Sequence, residues 1–92
     1  MYLRVTRGRV DPAKSEEAIR LVPAIMAAIQ QLPGCRGAQS GVDRATGNSI
    51  SISTFETLDQ AQFSRDRLSE AIAPLLALGW QGEAPEIYEQ AG

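Results

Sequence analysis

The run "SISIST" at residues 49–54 sets Ser49, Ser51 and Ser53 two residues apart, the spacing that lines hydroxyls along one side of an extended chain. A serine becomes a nucleophile only when a base takes its proton. The chain has no histidine, and its one lysine, Lys14, lies near a helix start with no reason to approach the serine strand. Ser-His-Asp and Ser-Lys hydrolysis are therefore disfavoured. Cys35 stands alone beside Arg36 and reads as a small buried hydrophobe rather than a reactive thiol. With no histidine and one cysteine, the usual ligand sets for zinc, copper and haem iron are missing. No carboxylate spacing suggests magnesium or calcium. We expect neither a metal nor a cofactor.

Composition narrows the remaining classes. Ninety-two residues, 43% hydrophobic and 22% charged, suit one soluble domain, residues 1–92, with a thin core. Nine basic and eleven acidic residues give a net charge of −2, too little positive field for a nucleic-acid partner. The longest apolar runs, such as "APLLALGW", fall far short of a membrane span, and "MYLRVTRGR" lacks the apolar centre of a secretory signal. Together with the unpaired Cys35, this points to a reducing, cytoplasmic location.

The elements that position the serines follow from periodicity. Residues 2–9 alternate, with Leu3 and Val5 on one face and Tyr2, Arg4 and Thr6 on the other. Asp11 as N-cap and Pro12 at the first helical position open a helix. Its apolar residues, from Ala18 to Leu32, cover an arc of about 140°. Pro23 predicts a kink or two helices end to end. Gly34 is the expected left-handed cap, and Gly37 and Gly41 hint at a bulge or close backbone approach in a strand over 35–43. The serine strand, residues 47–57, follows a turn. "TLDQ" has capping-box spacing, and a break near 66–69, with Ser69 capping, splits the second helical region. "LGWQGEAPE" reads as a loop and "EIYEQ" as the last strand.

This order predicts an α+β, ferredoxin-like βαββαβ sandwich, a four-stranded antiparallel sheet with both helices on one face. Leu3, Val5, Ile50 and Ile52 are expected under the helices. The opposite face is expected to carry Tyr2, Arg4, Thr6, Ser51, Ser53, Phe55 and Tyr88. An antiparallel sheet can leave one face in water, but these aromatics favour a partner, and two copies packed sheet to sheet form the simplest closed assembly.

The segment "LPGCRGAQSGVDRATGNSISISTFETLDQAQ" resembles the centre of dimeric α+β barrel domains, particularly the antibiotic-biosynthesis-monooxygenase-like family. Pro33-Gly34-Cys35 stands where relatives have Pro-Gly-aromatic, and Phe55-Glu56-Thr57 ends the serine strand as in that family. "GEAPEIYEQ" is similar to its last strand. The resemblance implies a homodimer whose two sheets form a shared barrel.

Haem-degrading relatives use a first-strand asparagine and a tryptophan and histidine on the second helix. Here those places fall to Thr6 or Arg7 and to Phe63 or Ser64, with no histidine at all. Other relatives oxidise aromatic compounds without metal or cofactor, in a pocket with tryptophan, tyrosine, arginine and asparagine. The resemblance thus implies a cofactor-independent monooxygenase-like enzyme for a small hydrophobic or aromatic metabolite. Arg4, Tyr2 and Trp80 are the catalytic candidates, and Tyr88 and Asn48 are further matches by residue type.

Arg4 suits the stabilising of a substrate anion. It is equally suited to pairing with Glu56, Glu86 or Glu89 across strands. Trp80 suits a lid over the end of a small core, and Asn48 suits the turn after Gly47. A non-catalytic ligand-binding or stress-response dimer is the alternative function.

Overall fold

The computed structural model describes residues 1–92. Strand β1 (Tyr2–Arg9) is followed by a 3-10 turn (Pro12–Lys14) and helix α1 (Ser15–Gln30). Strands β2 (Cys35–Val42) and β3 (Asn48–Phe55) form a hairpin. Helix α2 (Leu58–Ala61), a second 3-10 turn (Arg65–Leu68) and helix α3 (Ser69–Ala77) lead to the short strands β4 (Gln81–Gly82) and β5 (Glu86–Glu89). All pairings are antiparallel, in the order β2-β3-β1, with β4 and β5 sharing the far edge of β1. The helices cover one face, as the ferredoxin-like reading expects.

The final strand is the one departure in strand count. Gln81 and Gly82 pair with Arg9 and Gly8, the Glu83 amide bonds the Arg7 carbonyl at 2.8 Å, and pairing resumes at Glu86 opposite Val5. Pro85 has no N–H to give the ladder, so one edge strand becomes two pieces.

The local signals at the helix ends form much as their residues dictate. Asp11 accepts from the Ala13 amide at 2.9 Å and caps the 3-10 turn that leads into α1. Thr57 and Gln60 make both halves of a capping box, each bond 3.2 Å long. Gly34 takes the expected left-handed φ of +75°, but in the turn beyond α1, whose C-cap is Gln31; the Gln60 carboxamide fills the space where a Cβ on Gly34 would lie, which ties this turn to the start of α2. The strand β2 has its bulge between Cys35 and Gly37, whereas nothing approaches Gly37 or Gly41 closely.

Two helix expectations change. Of the two outcomes expected at Pro23, the split into two helices does not occur: α1 is continuous from Ser15 to Gln30, with Pro23 on its exposed side and Ala18, Ile25 and Ile29 on the buried side. The second helical region is interrupted from residue 62, and the 3-10 turn at Arg65–Leu68 carries the break into the expected 66–69, after which α3 starts at Ser69. Ser64 caps the 3-10 turn, accepting from the Asp66 amide at 3.3 Å, and Ser69 is the first residue of α3 rather than its cap. This break turns Phe63 inward, where it packs against the core rather than falling off the helix stripe.

The larger correction concerns which sheet face meets the helices. Phe55 is fully buried in the core with Val10, Ala18, Ile25, Ile29 and Ile72, and Tyr2 packs against that cluster. In register, Arg4 lies beside Ser53, Thr6 beside Ser51, and Ser51 beside Ser40, so this whole row turns toward α1 and α3. Leu3, Val5, Ile50 and Ile52 occupy the outer face, outside the core cluster. Tyr88, opposite Leu3, is also on that outer face and is 51% exposed. Alternation separates the two faces of a strand but does not say which one the helices cover. Here the usual apolar-inward rule is inverted because the sheet and helices enclose a cavity with a polar floor.

Candidate functional site

The cavity between sheet and helices measures about 80 Å³. Its floor is the sheet row of Thr6, Ser40, Ser49, Ser51 and Ser53, and its roof is apolar, from Val22, Ile25 and Met26 of α1 and Ile72 and Leu75 of α3. Small serines at the floor leave the space that larger residues would fill. Their hydroxyls also supply hydrogen-bonding groups without a bulky side chain. The Ser40 hydroxyl donates to the Ile50 carbonyl at 2.9 Å.

Arg4 closes one end of the cavity. It is only 8% exposed. Its Nη1 donates to the carbonyls of Ala61 at 3.0 Å and Phe63 at 2.8 Å, and its guanidinium carbon lies 3.8 Å from the Phe63 ring centre. The break after α2 makes this possible, because residues leaving a short helix have carbonyls free to accept. The carboxylate partners open to Arg4 in the sequence are not its partners here: Glu86 pairs with Arg7 and Glu56 with Arg36. Burial, and secondarily the charge of Arg65, pulls the Arg4 pKa below its ordinary value. A guanidinium stays protonated under such a shift, so the cavity ends in a buried cation without a counter-ion.

Trp80 forms another part of the wall, on a seat made by glycine. A Cβ on Gly8 or Gly82, which face each other across β1 and β4, would come within 2.4 Å of the indole. The indole Nε1–H donates to the Ser49 hydroxyl at 3.1 Å, and Arg65 lies 5.5 Å from the ring centre. Replacing Gly8 by valine is expected to drive the indole off this seat and break its bond to Ser49. Trp80 is the chain's one tryptophan. Its emission should therefore shift to longer wavelength and become more open to acrylamide quenching, with Ser49→Ala giving a smaller change in the same direction.

The sequence-derived site residues thus divide. Arg4, Thr6, Ser51, Ser53 and Trp80 line the cavity. Tyr2 and Phe55 lie beyond its lining, in the adjoining core. Tyr88 is on the outer face, where its hydroxyl donates to Glu86, which raises the Tyr88 phenol; that bond and the one from Arg7 hold the Glu86 carboxyl below its usual range. Asn48 lies outside the cavity, as the first residue of β3 directly after Gly47, where its backbone amide donates to the Thr46 hydroxyl at 3.2 Å. Sequence reasoning missed Phe63 and Arg65 as cavity residues. The off-stripe position of Phe63 was the available signal, since it required the chain to turn there.

No protein-family model and no curated protein matches the sequence. Solved structures do match the fold. A protein provisionally assigned as an antibiotic biosynthesis monooxygenase from Deinococcus radiodurans aligns over 100% of this chain and 94% of its own, with a TM-score of 0.77 at 17% identity. An antibiotic biosynthesis monooxygenase aligns over 100% of both chains, with a TM-score of 0.73 at 14% identity. A point variant of SnoaB, a cofactor-independent oxygenase from Streptomyces nogalater, aligns over 99% of this chain and 93% of its own, with a TM-score of 0.68 at 18% identity. The chain therefore has the fold of antibiotic-biosynthesis-monooxygenase domains. No helix is long and apolar enough to cross a membrane.

Proposed function

We propose that this protein is a cofactor-independent monooxygenase-like enzyme for a small hydrophobic or aromatic metabolite, working as a homodimer. The observation that carries the reading is the cavity itself, apolar on its helix side, with the buried Arg4 cation and two aromatic walls, Phe63 and Trp80. The SnoaB likeness supports the reaction class.

The chemistry asks little of the protein beyond binding and charge. A phenolate carries its negative charge on oxygen and at the ring carbon opposite. That carbon can bond to O2 to give a peroxide. Breaking the O–O bond with loss of the ring hydrogen leaves one oxygen as a quinone carbonyl, and the other departs as water. Phenol and O2 thus become quinone and water with no outside reductant. Arg4 stabilises the anion, the apolar roof excludes water, and the serine row orients polar substituents.

The test is oxygen uptake by chelator-treated protein supplied with substituted phenols and 1-naphthols. Uptake matched one-to-one by quinone is the expected result, reduced by about a hundredfold or more in Arg4→Gln. Tight binding of such compounds with no uptake from any of them would replace this reading with the ligand-binding dimer. A specific observation keeps that second reading in view: every polar group on the cavity floor is suited to holding a ligand, and none is a nucleophile with its base.

The homodimer is proposed through the outer face, Leu3, Val5, Ile50 and Ile52, rather than through the serine row. Leu3, Ile50 and Ile52 remain half-buried in the single chain, and large apolar side chains gathered on one open sheet face favour a partner.

A further inference from the structure

The cavity has no side chain able to take a proton. Its 19 lining residues include two arginines and no aspartate, glutamate, histidine or lysine. Of the three glutamates the sequence offered to Arg4, Glu86 is engaged with Arg7 and Tyr88 and Glu56 with Arg36, and Glu89, opposite Tyr2 at the end of β5, lies outside the lining. A ligand that must become an anion here finds no base to ionise it.

The positive charge in the cavity is also uncompensated. Arg4 spends Nη1 on the two carbonyls, leaving Nε and Nη2 without a protein acceptor. Keeping a cation this buried beside carbonyl dipoles and one aromatic face is costly, and an anion brought to it offsets that cost. Arg65 is the one exposed residue of the lining, so it stands where the cavity meets solvent, beside Trp80.

Size sets the third limit. Drug-sized ligands occupy pockets of about 300–1,000 Å³, and a cavity of about 150 Å³ takes a benzene molecule. At about 80 Å³, below the benzene benchmark, this cavity takes a single ring only with part of it in the open side, and a second ring finds no room without moving the helices apart.

We propose that the cavity selects a one-ring ligand that enters already ionised, its negative oxygen against Arg4 and its ring under α1 and α3, with Arg65 supplying a second positive charge at the mouth. The proposal rests on the cavity being the substrate site, as above, and narrows the substrate to an acidic phenol or enol that is anionic near neutral pH. Arg4 contacts the ligand; Arg65 acts on its approach and retention.

The probe is 4-nitrophenol, which titrates near neutrality and absorbs visible light only when ionised. Its nitro group blocks the ring carbon where oxygen would add, so it reports binding alone. Spectral titration should show the apparent pKa of bound 4-nitrophenol lowered by one unit or more, equivalent to about tenfold tighter binding of the anion. Arg4→Gln should abolish that shift and Arg4→Lys retain part of it, with thermal melts identifying any variant that fails to fold. Arg65→Gln, at an exposed position, should weaken anion binding several-fold. The two-ring analogue 4-nitro-1-naphthol should bind at least tenfold more weakly than 4-nitrophenol.

No binding at millimolar probe, an unchanged or raised pKa, the same shift in Arg4→Gln, or naphthol binding as tight as phenol overturns the proposal. These outcomes are separable from the oxygenase test. Nitrophenolate binding with no oxygen uptake from any phenol removes the enzyme and leaves the anion site. Uptake confined to naphthols leaves the enzyme and removes the one-ring limit.

Discussion

Replacing Phe55 by alanine is expected to destabilise the single chain by about 3–5 kcal/mol. In a domain of this size that lowers the melting temperature by at least about 12 °C. Phe55 has no exposed surface. Its ring centre lies 5.5 Å from that of Phe63 at 49° between planes, and its backbone is paired on both sides, with Tyr2 and with Cys35. Alanine would remove the wall behind Phe63, which is also the ring on which Arg4 rests. The loss therefore reaches the site: the cavity should widen at the Arg4 end, and anion selectivity should fall along with stability. Denaturant melts at several protein concentrations are the decisive measurement. If Phe55 instead faced a partner chain, its removal would weaken assembly and leave a monomer of ordinary stability. A drop that is the same at all concentrations identifies it as core.

That contrast shows where sequence reading succeeded and where it stopped. The capping box at Thr57 and Gln60 and the left-handed conformation of Gly34 were legible because each is a local conformational demand carried by a few residues. Strand alternation was equally legible, and it correctly grouped Arg4, Thr6, Ser51 and Ser53 on one face. What it could not supply was the sign. The choice of serines as the outer row followed the rule that polar residues face away from helices, which assumes a filled core. A cavity reverses that rule, because hydroxyls can face enclosed space. The carboxylate ambiguity at Arg4 had the same root. Several glutamates could reach it in principle, and only the register, which puts Glu86 opposite Val5 on the other face, removes that partner. Tyr88 was misplaced by the same one-residue parity, and with it one of the aromatics that had pointed to the serine face as the interface.

The inverted faces make the assembly prediction specific. Substituting aspartate for Ile52 should convert the proposed dimer to monomer, raising its dissociation constant by about a hundredfold or more, or about 2.7 kcal/mol. Ile52 pairs with Val5 on one side and Gln39 on the other, near the middle of the outer face, so a second sheet laid there would bury the new carboxylate without a partner. In the single chain Ile52 is only half-buried, and the fold should tolerate the change. Ser51→Val is the matched control on the other side of the same strand. It narrows the cavity and should impair ligand binding while leaving assembly as it was. Sedimentation velocity across micromolar concentrations reads both. A native chain that sediments as a monomer throughout sinks the dimer. A Ser51 variant that dissociates while the Ile52 variant stays dimeric would return the interface to the serine face. The expected pattern separates the two faces functionally: the isoleucine face joins chains, and the serine face, covered by the helices and open at one side, holds the ligand.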